Sequence, residues 1–360
     1  MFLRNPFAGA FGLDIGDLTI KLVKLRRQHR PHKPVNYIIE EMRSISLPPG
    51  YIVDGEIQQP EMVRKKILQL LGKEGTKFKP IKTPWVVADL PEPKTFLKTI
   101  SIDTDQEDLT EEDVIYQARK HLPFDLSEAY LDWQVIESNE KTSKIVIGAV
   151  PKITADSYTY LLESADLRPV ALEIEATSIA RALVTADKDY VGEARIILDL
   201  GATRSSLMVY DHETIQFSTN LSFSGELMTT AIMQKLKIDY AEAEKMKIES
   251  GLVYDKTKPK YLKIVTEMTD KLAAEIKTAI TFYQEHFSDP NPITHITMTG
   301  RVSNLKNLRE TLSRKLKISS GPGHTWKNLK LKKVDPGLEE VGVFYTSAVG
   351  LALRAAQKPW

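Results

Sequence analysis

Two segments of this chain, 185 residues apart from Asp14 to Asp199, repeat one pattern. Gly12-Leu13-Asp14-Ile15-Gly16 and Ile197-Leu198-Asp199-Leu200-Gly201 each read as an apolar strand closing on Asp-x-Gly. Each runs into a tight turn, Gly16-Asp17-Leu18-Thr19 or Gly201-Ala202-Thr203-Arg204, and then into a second apolar strand. A single Asp-x-Gly is ordinary turn composition, since Asp and Gly both suit turns. The same hairpin twice predicts two related domains facing each other across a cleft.

The residue types suggest what the cleft holds. Glycine lets the backbone approach a ligand, and successive N–H groups form an anion-binding concavity. A carboxylate two residues earlier can hold the water shell of Mg²⁺, which keeps several of its waters. Asp14 and Asp199 are therefore the candidate metal residues, and Gly16 and Gly201 the phosphate turns. Lys21 can meet a phosphate charge, and Thr203 can donate a hydroxyl. The alternative for Lys21 is a solvated strand lysine.

Composition removes several other chemistries. The chain has no cysteine, which excludes disulfides, thiolate nucleophiles, Cys-ligated zinc and iron–sulfur clusters. Its 49 Lys and Arg against 48 Asp and Glu argue against nucleic acid held by overall basicity. The histidines are scattered, His29 and His32 among them, without metal-site spacing. Met1–Gly12 does not read as a signal peptide. The longest uncharged apolar run, Val341–Leu353, falls short of the ~20 residues of a membrane span. The expectation is a cytoplasmic protein that meets the inner face of the membrane through partners, or weakly through the basic stretches Lys21–Lys33 and Lys306–Lys333.

Strands are predicted at Phe11–Ile15, Ile20–Leu25, Trp85–Leu90, Leu131–Ile136, Lys144–Val150, Val170–Ile174, Ile196–Leu200, Ser206–Tyr210, Ile215–Thr219 and Ile293–Met298. Helices are predicted from a Thr110/Asp113 capping box to His121, and at Ile153–Ala165, Gly225–Leu236, Tyr240–Ser250, Leu262–Phe287, Leu305–Leu316 and Tyr345–Ala356. Strands alternate with helices, so the class is α/β with mixed sheets.

Seven segments carry a family resemblance: GLDIGDLTIKLVKL, LPPGYIVDGEI, EEDVIYQARKHLPFDLSEAYLDWQVI, RPVALEIEATSIARAL, LDLGATRSSLMVY, ITMTGRVSNLKNL and GVFYTSAVGLALR. In this order, from Phe11 to Ala356, they resemble the PilM family of type IV pilus assembly proteins, FtsA relatives in the actin-like ATPase superfamily. VDGEI and LPF…YLDWQV set that family apart from actin-like proteins in general.

The resemblance implies an actin-like fold, a ribonuclease H-like unit duplicated into two lobes, with a small inserted α+β subdomain. The first lobe would begin at 1–81, the insert fill 82–167, and 168–190 complete the first lobe with a connecting helix. The second lobe would be 191–360, with 222–290 its helical subdomain. ATP and Mg²⁺ would lie between the lobes, with at most slow hydrolysis. By the same resemblance Glu175 is the catalytic carboxylate facing the attacking water. Glu244 and Lys247 meet ribose and adenine, and Gly300 forms the adenosine turn. The partner would be the N-terminal cytoplasmic tail of a PilN-like inner-membrane protein, held between the first lobe and the insert. Self-association is left open.

These residues have plainer alternatives. Glu175 could be a helix N-terminal charge, and Glu244 and Lys247 a surface pair. Phe124, Tyr130 and Trp133 could anchor the peptide or fill the insert's core, and the shared face of Leu131, Trp133 and Val135 puts Trp133 in the core. Three positions depart from the family pattern. Asp17 replaces a Ser or Thr, and a carboxylate near a triphosphate is unfavourable unless it turns away or meets the metal. Ala176 replaces a Pro, and Thr299-Gly300-Arg301 has one Gly where two are common. Competing functions are an FtsA-like filament-forming ATPase, opposed by an end at Gln357-Lys358-Pro359-Trp360 that does not read as a membrane anchor, and a small-molecule kinase, opposed by the lack of an acceptor-site Asp motif.

Overall fold

A computed structural model describes residues 5–28, 35–75, 78–186, 188–331 and 333–357. His29, His32 and the closing Lys358-Pro359-Trp360 lie outside these. Two compact units emerge, one of residues 1–187, 214–216 and 324–360, the other of 188–213 and 217–323.

In chain order the first stretch runs β1 (Phe11–Ile15), β2 (Thr19–Gln28), β3 (Asn36–Ser46), β4 (Ile52–Val53), β5 (Glu56–Ile57), α1 (Pro60–Leu70), β6 (Trp85–Leu90) and β7 (Phe96–Ile102). It continues with α2 (Glu111–Ala118), β8 (Ala129–Ser138), β9 (Ser143–Pro151), α3 (Lys152–Ser164), β10 (Arg168–Ile174) and α4 (Glu175–Leu183). Next come β11 (Ala194–Leu200), β12 (Ser205–Asp211), β13 (Thr214–Leu221), α5 (Gly225–Leu236), α6 (Tyr240–Ser250) and α7 (Pro259–His286). The chain closes with β14 (Ile293–Thr299), α8 (Leu308–Leu316), β15 (Ser319–Pro322), α9 (Pro336–Val341) and α10 (Thr346–Ala356).

The expected duplication is visible strand by strand. The first unit's main sheet is ordered β10-β6-β1-β2-β3, and the second unit repeats it as β15-β14-β11-β12-β13. In each, three strands run parallel and the central one turns back into an antiparallel hairpin. The registers match too: Asp14 faces Lys21 across the first hairpin, and Asp199 faces Ser206 across the second. Each turn is closed by the same bond, Gly16 N–H to Thr19 C=O and Gly201 N–H to Arg204 C=O, both at 3.0 Å.

β1 is buried along its whole length. One face of its sheet packs Leu13, Ile20 and Leu22 against α1 (Val63, Ile67) and α3 (Tyr158, Leu161, Leu162). The other packs Val23 and Leu25 against α10 (Ala348, Val349, Ala352). Each fully buried large side chain contributes about 1.5–3 kcal/mol. Helix α10 fits closely because its approaches to β1 and α4 both use glycine. A Cβ at Gly12 would lie 2.4 Å from Ala352 N, and one at Gly350 would lie 1.8 Å from Ser178 O. Buried Glu173 clamps the arrangement, accepting from Arg181 at 2.7 and 2.5 Å and from Arg354 at 2.6 Å. In the second unit Ile196, Leu198 and Leu207 pack against Met228, Ile232, Leu272, Ile276 and Leu308.

Boundaries differ from expectation in two places. The closing segment 324–360, expected with the second lobe, belongs to the first compact unit. The insert is narrower than 82–167, because β6 is an inner strand of the main sheet and α3 packs beneath that sheet. The meander β7-β9-β8, three strands of an eight-stranded sheet, has a small core of its own with α2 around Ile100, Val114, Ile145 and Ile147. Leu131, Trp133 and Val135 all turn toward that core, as their alternation predicts. The capping box at Thr110 forms in both directions.

Candidate functional site: carboxylates at the ends of parallel strands

Asp14, Asp89 and Glu175 converge in the first unit, with carboxylate oxygens all within 4.8 Å of one another. Asp14 is one residue from the end of β1 and Asp89 one residue from the end of β6, while Glu175 directly follows β10. These are the carboxyl ends of three neighbouring parallel strands, where open α/β sheets place their ligands. Asp14 and Asp89 are buried, and Glu175 is partly exposed at the first position of α4. Lys21 Nζ meets Asp14 Oδ2 at 2.7 Å and lies over the Phe344 ring at 4.8 Å. Burial pulls the Lys21 ammonium down, but Asp14, with Glu175 and Asp89, outweighs it and holds the pKa above the ordinary lysine value. Lys21 is thus a half-buried, paired cation, not a solvated strand lysine.

Sequence reasoning missed Asp89. Its signal was there: a lone carboxylate in the apolar strand Trp85–Leu90, where Asp rarely sits without a partner or a function. Asp89 accepts from Ile15 N–H at 3.1 Å and from Ser347 Oγ at 2.9 Å, so α10 helps fix it. Burial, then the Asp14 and Glu175 charges, push its pKa well above the usual carboxylate range.

Two departures from the family pattern gain a physical account. The Asp17 carboxylate is engaged outside its own turn: it is buried, and its Oδ1 accepts the Gly55 N–H at 3.2 Å. Ala176 uses the N–H that a proline would lack, donating it to the buried carboxylate of Glu92 at 3.2 Å.

The second unit presents the other candidates. Asp199 and Gly201 sit at the end of β11, and Thr203 lies in the turn that follows. The N-terminus of α5 is docked on that turn, with Gly225 N–H to Gly201 C=O at 3.1 Å and Glu226 N–H to Ala202 C=O at 2.8 Å. Gly300 follows β14 with φ +79°, and a Cβ there would lie 2.4 Å from Leu200 O and 2.6 Å from Asp199 Oδ1. Only glycine fits. Glu244 and Lys247 are not a surface pair. Lys247 is buried on α6 and gives its three protons to Glu244 (2.6 Å), Thr229 Oγ1 (2.8 Å) and Gly225 C=O (3.0 Å). It holds α6 to the start of α5, while Glu244 remains partly exposed. Ser206 stands at the position that Lys21 takes in the first hairpin.

The donor set of the first unit fits a hard divalent cation, since it offers carboxylate oxygens only. Asp14, Asp89 and Glu175 are the residues that would hold Mg²⁺ or its waters there.

The family model for type IV pilus assembly protein PilM matches residues 12–356, nearly the whole chain. The chain belongs to the type IV pilus assembly protein PilM family. Among solved structures, a chain of a PilM-PilN type IV pilus biogenesis complex is similar at TM-score 0.80 and 23% identity, covering 98% of this chain and 100% of that one. Ethanolamine utilization protein EutJ from Carboxydothermus hydrogenoformans is similar at TM-score 0.54 and 14% identity, covering 97% of this chain and 90% of that one. MreB 5 of Spiroplasma citri bound to AMPPNP is similar at TM-score 0.52 and 10% identity, covering 96% and 95%. The fold is therefore the actin-like one. Among the described residues no helix is long and apolar enough to cross a membrane.

Proposed function

We propose that this PilM-family protein is a nucleotide-binding scaffold of type IV pilus assembly that captures the N-terminal cytoplasmic tail of a PilN-like inner-membrane protein. The family match over residues 12–356 carries the proposal. The likeness to a chain from a PilM-PilN complex supports it along the full length. Family membership does not favour an FtsA-like filament or a small-molecule kinase.

The nucleotide is ATP with Mg²⁺. In the first unit Gly16 supplies a backbone donor turn, Lys21 a cation, and Asp14, Asp89 and Glu175 the oxygens for a metal. In the second, Asp199, Gly201 and Thr203 repeat the turn, with Gly300, Glu244 and Lys247 shaping the nucleoside side. A bound Mg²⁺ would neutralise phosphate charge. Glu175, at the exposed edge of the carboxylate cluster, is the residue placed to orient a water. Lys247 acts by positioning, because its protons are already engaged.

The test is co-elution. The purified chain and a detergent-solubilised PilN-like protein should co-elute from a sizing column, and deleting the partner's cytoplasmic tail should abolish this. Co-elution that persists without the tail would remove the tail-capture role.

A further inference from the structure

The turn carrying Gly16 is tied to its surroundings at two points. Leu18 C=O accepts the Leu47 N–H at 2.8 Å, and the Asp17 carboxylate accepts the Gly55 N–H at 3.2 Å. Gly55 is at the tip of the β4–β5 hairpin, where Asp54 (φ +50°) and Gly55 (φ +77°) form a two-residue turn with both central residues left-handed. The hairpin's own ladder does not use the N–H or C=O of such a central residue. Gly55 is nevertheless buried, and buried backbone groups need partners. Its C=O accepts the hydroxyl of Tyr158, a fully buried residue of α3, at 3.1 Å. One residue is therefore gripped by the phosphate turn on one side and by α3 on the other. The outer face of α3 exposes Ile153 and Tyr160, with Asp156 bonded to exposed Tyr130 at 3.1 Å.

We infer that Asp17, Gly55 and Tyr158 form a latch that couples nucleotide occupancy to the state of α3. The inference rests on the nucleotide role proposed above. Asp17 has two alternatives. Latched on Gly55, its carboxylate is held away and the turn can accept a phosphate. Released, the carboxylate carries its negative charge into the turn, where it competes with and repels that phosphate. A contact that moves α3 pulls on Tyr158 and Gly55 and so biases the latch. Linkage requires that nucleotide biases α3 in return. Tyr158 thus acts as a positioning residue for a ligand it does not touch. A double-mutant cycle reads that coupling directly.

Mg-ADP affinity would be measured by calorimetry on the full chain as wild type, Tyr158→Phe, Asp17→Ala and the double variant, each confirmed folded by circular dichroism. Tyr158→Phe should weaken Mg-ADP binding about 5-fold or more, within the usual range of coupling between sites. With Asp17→Ala the competing carboxylate is gone, and adding Tyr158→Phe should change affinity by less than about 2-fold. In wild type, Mg-ADP should also slow hydrogen exchange at 51–58, and in Asp17→Ala it should not. Equal weakening by Tyr158→Phe in both backgrounds would make Tyr158 merely structural and overturn the latch, as would no weakening at all. Failure of the folded wild type to bind Mg-ADP overturns the nucleotide role itself and the latch with it.

Discussion

Asp89→Asn should stabilise the metal-free protein at pH 8. At an effective dielectric of about 20, two unit charges at the 4.8 Å limit of this cluster repel by about 3.5 kcal/mol. Asp89 faces two such carboxylates, Asp14 and Glu175, and the Lys21 ammonium offsets part of the repulsion. Asparagine keeps both bonds, since its oxygen can accept from Ile15 N–H and its amide can donate to Ser347 Oγ. A net gain of about 1–3 kcal/mol, or about +2 to +10 °C in melting temperature, is the expected scale. The pH dependence has a definite sign. The folded Asp89 binds its proton more tightly than an unfolded aspartate, so its contribution falls as pH rises from the ordinary carboxylate value through the raised one. The advantage of the variant should be larger at pH 8 than near the ordinary carboxylate range, shrinking as pH falls toward it. The assay is scanning calorimetry in EDTA across that range, then with Mg²⁺. Added Mg²⁺ should stabilise the wild type more than the variant, because only the wild type has the full set of ligands. A variant less stable than wild type at pH 8 in EDTA, with an undiminished response to Mg²⁺, would refute the reasoning.

Other consequences are as direct. Gly350→Ala puts a methyl group 1.8 Å from Ser178 O and should cost about 3 kcal/mol or more, read by urea denaturation. Lys247→Met leaves Gly225 C=O, Thr229 and Glu244 without their shared cation. It should destabilise the second unit by about 1–3 kcal/mol, since Glu244 is partly exposed and the buried groups left unpaired are Gly225 C=O and Thr229, and weaken nucleotide binding, read by thermal melting and calorimetry. Steady-state ATP turnover without a partner should stay below about 1 s⁻¹, the low end of typical enzyme rates, by a phosphate-release assay. The Asp17 carboxylate is bonded to Gly55 and so does not itself slow the reaction; slow turnover follows from a sequence with no evident arginine finger.

The hairpins were legible because they are local. Strand, Asp-x-Gly, turn and strand lie within a dozen residues, and their repetition announces the duplication. Helices α5 and α6 were legible for the same reason, and their limits fall where periodicity and caps put them. Strand β3 was not anticipated, because Glu40 and Glu41 interrupt its alternation and a bulge between Lys24 and Leu25 shifts its pairing. Helix α1 was not either, since Pro60 reads as a break, although proline suits a helix's first turn. Asp89 and the direction of Asp17 depend on partners 74 and 38 residues away, which no local pattern encodes. The placement of α10 was also hidden. Its apolar residues could cover either sheet, and the glycine contacts at Gly12 and Gly350 become apparent only when the strands are assembled.

Capture of the cytoplasmic tail of a PilN-like membrane protein is the role proposed for this PilM-family chain. The direct measurement is calorimetric titration of the folded, full-length chain with a synthetic peptide of that tail, beside a scrambled peptide of the same composition. The expected result is saturable one-to-one binding of the native tail and none of the scrambled one. Equal heats from both peptides, or none from either, would contradict it.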